Sequence, residues 1–97
     1  MYDYTGWIVR TTAGRDKDQV FCVVGVDHEA FRLLLADGKR RKLSRPKAKK
    51  LGHVQCLTDH LHMYDSPVVH SLQQGEPVSD RALRRALAAF KEGYSLG

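Results

Sequence analysis

The stretch that most restricts this chain runs over residues 9–26, VRTTAGRDKDQVFCVVGV. An apolar-edged segment leads into a tight polar loop, AGRDKD, and is followed by a nearly unbroken run of strand formers, Val20, Phe21, Cys22, Val23 and Val24. Two neighbouring strands and their connection have this form, since β-branched and aromatic residues suit a pleated surface and Gly and Asp suit the turn. No nucleophile is paired with a base here, and no metal ligands cluster. The loop does carry Arg15 and Lys17 at a strand junction, which suits phosphate contact better than bond making.

The rest of the first half repeats the pattern. Residues 6–12 read as a first strand, with Trp7, Val9 and Thr11 on one face and Ile8 and Arg10 on the other. Residues 19–26 form the second, apolar on both faces as in a small closed barrel. A third strand over 30–36 alternates Phe31, Leu33 and Leu35 against Arg32 and Leu34. Asp37-Gly38 then signals a tight hairpin turn, where Gly supplies a positive φ, so the fourth strand begins at Lys39 or Arg40 and ends at Pro46. Residues 47–51 are too basic to be buried, and His53 to Leu57 alternates as a closing fifth strand. Five short strands in under 60 residues predict a mainly β fold, a small SH3-like barrel over residues 1–57.

After Leu57 the apolar spacing becomes helical, giving a C-terminal extension over 58–97. Ser66-Pro67 marks a helix start, Val68, Val69 and Leu72 share a face, and Gly75 stands where that helix stops. Ser79 caps a second, longer helix with Asp80 in its first turn, and Leu83, Ala86, Leu87 and Phe90 form a stripe ended by Gly93. Arg81, Arg84, Arg85 and Lys91 lie off that stripe. The stripe completes the core against the barrel or the first helix, or else docks a partner protein.

Charge narrows the function. The 97 residues carry a net charge of +5, and the excess is local: 12 Lys and Arg stand against 6 Asp and Glu up to Leu57, and 4 against 5 beyond it. Lys39, Arg40, Arg41, Lys42, Arg45, Lys47, Lys49 and Lys50 follow one another with no acid among them. Lysine on an edge strand also discourages edge pairing, but a run this dense is a nucleic-acid patch. Affinity would then come from phosphate neutralisation and counterion release. Tyr2, Tyr4 and Trp7 are the aromatics available to stack on bases, Trp7 being equally suited to plug the core, so recognition of RNA shape is expected above sequence. No run of about 20 apolar residues spans a membrane and the start lacks signal-peptide character, so a cytoplasmic protein is expected. Cys22 and Cys56 sit among apolar residues and read as reduced core cysteines.

With AGRDKD, the hydrophobic strand after it, DGK, and the basic run ending in PKAKKLGHVQ, the chain resembles the KOW-domain proteins. It is most similar to small bacterial KOW-domain RNA-binding proteins related to KOW-containing large-subunit ribosomal proteins, and the ending GEPVSDRALRRAL resembles the tail of that bacterial group. The resemblance implies an SH3-like barrel that binds RNA, ribosomal RNA of the large subunit above all, with a ribosomal protein contact also open to it and no cofactor or small-molecule substrate. By it, Gly14, Arg15, Asp16 and Lys17 match the family's loop, and Asp37 and Gly38 its hairpin turn. Lys39, Arg40, Arg41, Pro46, Lys47, Lys49, Lys50, His53 and Gln55 match its basic segment and closing strand. One position departs: the family usually has Gly after the loop lysine, and this chain has Asp18, which tolerates a left-handed backbone but sets a carboxylate where Gly would let RNA approach.

The RNA-binding residues expected are therefore Arg15, Lys17, Lys39, Arg40, Arg41, Lys42, Arg45, Lys47, Lys49 and Lys50. Cys56, His60 and His62 are ligand types at a spacing that matches no structural zinc pattern. No motif frames a serine or cysteine as a nucleophile, so an enzyme is not expected. The second reading is an adaptor docking on a ribosome- or RNA-polymerase-associated protein, since small KOW barrels also occur in transcription elongation factors.

Overall fold

Alternation in the first half builds one antiparallel sheet of five strands in the order β4-β3-β2-β1-β5. The strands are β1 (Ile8–Thr11), β2 (Val20–Asp27), β3 (Arg32–Ala36), β4 (Lys47–Lys50) and β5 (Val54–Cys56), and a single 3₁₀ turn, Leu51–His53, joins β4 to β5. Two helices follow, α1 (Pro67–Gln73) and α2 (Asp80–Gly93). The computed structural model describes residues 1–94, so the last three residues of the extension lie outside the described residues.

Both faces of the sheet are covered, and the parity of each strand shows by what. Val9, Phe21, Val23, Leu33 and Leu35 form one buried cluster, with Tyr4, Trp7, Val26 and Val54 against it. Ile8, Cys22 and Ala36 point the other way and meet Leu83, Leu87 and Phe90 of α2. The two apolar faces of β2 are thus each filled, one by a helix. A bulge at Val24, between the pairs Val23–Leu35 and Gly25–Leu34, shifts the parity. It lets Val23 and Val26, three residues apart, serve the same cluster.

The helices begin and end where local chemistry directs. The Ser66 hydroxyl accepts from Val68 N–H and Pro67 occupies the first turn, where no donor is missed. Gly75 at φ +72 closes α1, with Glu76 N–H donating to Ser71 C=O at 2.8 Å and Gly75 N–H to Leu72 C=O at 3.2 Å. This pattern satisfies the orphan carbonyls of the last turn. Ser79 Oγ accepts from Ala82 N–H at 3.0 Å and caps α2. Burying Leu83, Leu87 and Phe90 is worth about 1.5–3 kcal/mol each, which holds a helix too short to stand alone. Tyr64 adds an edge-to-face contact with Phe90 and donates its hydroxyl to Ala86 C=O.

Four sequence expectations are corrected. The fourth strand does not begin at Lys39 or Arg40 and end at Pro46: it begins after Pro46, and residues 37–46 are a wide loop. Gly38 does take the positive φ expected of it, +77. Residues 47–51 are not all exposed, since Lys49 is 9% exposed on the face it shares with Leu33. Phe31 is not on the buried face of the third strand. It precedes the strand with φ +55 and is 65% exposed. The last concerns Cys56, which is not a core cysteine but is exposed at the end of the short outer strand β5. Both cysteines are free thiols, Cys22 is buried, and burial pushes its thiol up to about 12.

Candidate nucleic-acid interface

The basic loop 37–46 is shaped by two carboxylates that bind its backbone rather than its cations. Asp37 Oδ1 accepts from Lys39 N–H and Arg41 N–H, each at 2.9 Å, while Asp37 and Gly38 N–H donate to Arg41 C=O. Asp80, in the first turn of α2, accepts from Leu43 N–H at 2.8 Å. The loop therefore rests on the start of the helix, and Gly38 touches it: a Cβ there would stand 2.1 Å from Asp80 C=O. With the acids turned to amides, Lys39, Arg40, Lys42 and Arg45 face solvent.

The AGRDKD loop packs against the same region from the other side. Thr11 Oγ1 donates to Asp16 C=O, Asp18 N–H donates to Thr11 C=O at 2.8 Å, and Gly14 and Asp18 take positive φ of +85 and +69. Asp18 thus closes the loop in a left-handed conformation, which Asp tolerates better than most residues. Its carboxylate is turned to Arg10 at 2.8 Å, and Arg10 also donates to Gln55 Oε1 at 2.5 and 3.2 Å. Arg15 and Lys17 are exposed on either side of Asp16.

Asp16 divides the ten predicted residues into two groups. Its carboxylate pairs with Lys47 and lies 3.7 Å from Arg41. Lys49 passes beneath the loop, where a Cβ on Gly14 would come within 2.9 Å of its ammonium nitrogen. The hydrogen bond from Lys47, with the charges of Lys47, Arg41 and Lys49, holds the Asp16 carboxyl below the usual range despite its burial. Lys47 and Lys49 thereby lay their stems along the sheet and close the fold over Leu33 and Leu35. Arg15, Lys17, Lys39, Arg40, Lys42, Arg45 and Lys50 remain exposed.

Asp16→Asn is expected to lower stability at pH 7 by about 1–2 kcal/mol, as for loss of a charge-assisted hydrogen bond. A carboxyl held lower when folded stabilises above its unfolded pKa of about 3.9 and loses that contribution as pH falls through the folded value. The gap between parent and variant should therefore be full at pH 7 and narrow in acid as the folded carboxyl takes up its proton. Thermal unfolding at several pH values measures it, and a gap that persists in acid would show that Asp16 acts through something other than its charge.

Sequence reasoning passed over Arg81, Arg84 and Arg85. They lie on the exposed side of the first two turns of α2, and the backbone of Arg84 is among the atoms nearest Gly38, so the helix adds its arginines beside the basic loop. Helical spacing showed that they avoid the apolar stripe, but only the docking of Asp80 on Leu43 shows where they go. The aromatics of the N-terminal segment pack on one another: Trp7 and Tyr4 lie edge to face at 4.8 Å, and Tyr2 caps both at 57% exposure. Among the described residues no three His, Cys, Asp or Glu side chains are grouped to hold a metal ion, and no helix is long and apolar enough to cross a membrane. No protein-family model and no curated protein matches the chain, so the reading of this surface rests on its geometry and on the resemblance in its sequence.

Proposed function

We propose that the protein binds structured RNA, ribosomal RNA of the large subunit first among its ligands, by phosphate contacts from loop 37–46, the AGRDKD loop and the arginines of α2. The observation that carries this reading is the loop's construction. Asp37 and Asp80 fix its backbone and leave Lys39, Arg40, Lys42 and Arg45 free, a rigid display of cations with no neutralising partner in the loop itself. Preset cations lose less freedom on binding, and each phosphate neutralised releases counterions.

The sheet is proposed to close as an SH3-like barrel of the KOW class. Strands β4 and β5 stand at opposite ends of the sheet order, yet only Leu51–His53 joins them. Outer strands of a flat five-stranded sheet lie about 19 Å apart at about 4.8 Å per step, whereas a three-residue link spans about 14 Å at most. The short link favours a sheet curled toward closure, with the two basic loops gathered near one another by Asp16 and its partners.

Leu83, Leu87 and Phe90 are inside the fold, so the α2 stripe completes the core, and an adaptor docking on a ribosome- or RNA-polymerase-associated protein would use another surface of the sheet. Sedimentation of the tagged protein through a sucrose gradient at low and moderate salt tests the RNA reading. The protein should travel with ribosomal subunits at low salt and be released as salt rises. If it stays at the top at both salts while a protein partner copurifies, the ribosomal reading is wrong.

A further inference from the structure

The hairpin from β2 to β3 ends on a residue type that its backbone disfavours. Asp27 pairs with Arg32 to close it, and Asp27 Oδ1 accepts from Glu29 and Ala30 N–H at 3.1 Å, so the turn itself is well satisfied. Phe31, the last loop residue, nevertheless takes φ +55, a conformation suited to Gly or Asn and an outlier for a bulky side chain. Packing does not compensate, because Phe31 is 65% exposed, more than Tyr2. Beside it, Arg32 is directly opposite Lys50 across the β3–β4 pair. Both are exposed, neither has an ion-pair partner among the described residues, and like charges in register repel. An exposed aromatic ring and two like charges in register are each unfavourable to the free protein, and one ligand would cover the first and neutralise the second. It has a flat apolar face for the ring and an anionic backbone for the cations.

We infer that Phe31, flanked by Arg32 and Lys50, is a stacking site for an unpaired base, so that the RNA bound is one with a single-stranded loop or bulge beside its paired segment. This rests on the RNA reading above and refines it. Shape and phosphate contact come from the loop at residues 37–46, and a base extruded from the helix is received on the ring of Phe31, since bases can be read by aromatic side chains only where they are unstacked. Strain concentrated on a surface aromatic fits a contact that forms only in the complex.

The test measures binding of the full chain to two synthetic RNAs sharing one stem, a hairpin with an adenine-rich loop and the corresponding duplex, by fluorescence anisotropy at fixed salt. Phe31→Asn should bind the hairpin roughly tenfold more weakly and the duplex unchanged, while Phe31→Trp keeps the preference for the hairpin. The melting temperature of Phe31→Asn should equal or exceed the parent's, because Asn accepts the left-handed backbone more readily. Unchanged hairpin binding by Phe31→Asn, or equal losses on both RNAs, overturns the stacking site and leaves the RNA reading standing. A lower melting temperature accompanying the loss would show that Phe31 supports the fold instead. If the parent protein binds neither RNA, the RNA reading itself fails.

Discussion

Gly38→Ala is expected to destabilise the protein by about 2–5 kcal/mol, from a left-handed backbone and a clash that together exceed the cost of either alone. At φ +77 the added methyl is itself unfavourable, and it would lie 2.1 Å from Asp80 C=O and 3.1 Å from Arg84 N. Those atoms belong to the backbone of a helix and cannot rotate away, so α2 must shift and its Leu83, Leu87 and Phe90 with it. Gly75→Ala is the control. Its φ is +72, but nothing lies within 4 Å of an added Cβ, so it carries only the conformational penalty of about 1–2 kcal/mol. Urea unfolding of the two variants separates the terms. Equal losses would mean that the loop and α2 do not bear on one another as described.

Replacing Lys39, Arg40, Lys42 and Arg45 together by alanine should weaken RNA binding by about 10²–10³-fold near physiological salt and leave the melting temperature nearly unchanged. These four side chains are exposed, and the hydrogen bonds that shape the loop run through backbone amides that alanine retains. The slope of log affinity against log salt should fall by about three, near 0.7–0.9 for each phosphate no longer neutralised. Lys47→Ala should behave in the opposite way, costing stability through Asp16 and little affinity. Binding that survives the fourfold change with its salt slope intact would move the RNA surface elsewhere on the molecule.

What could be read from the sequence was what local chemistry decides. Ser66-Pro67 and Ser79-Asp80 announce their helices because capping involves residues two or three apart. Strands β1 and β2 keep their parity because both faces demand apolar residues. The fourth strand was misplaced since Asp37-Gly38 resembles a complete hairpin turn, while the loop's path depends on Asp80, 37 residues beyond Leu43. Lys47 and Lys49 look like phosphate ligands in any composition. Their pairing with a carboxylate from another loop appears only when β4 is set beside β3. Phe31 fits the alternation of its strand perfectly, and only the backbone torsion turns it outward.

The hold of Asp80 on Leu43 also sets an order of events during synthesis. The sheet and the loop at residues 37–46 are made before α2, and domains form as their segments leave the ribosome. Until the helix follows, Leu43 N–H has no carboxylate, Gly38 has no surface to rest on, and the cluster around Ile8, Cys22 and Ala36 lacks its cover. The nascent chain therefore carries its positive charges on an unfixed segment. On the proposed function, selective binding of RNA would mature only when a helix made later docks on that segment.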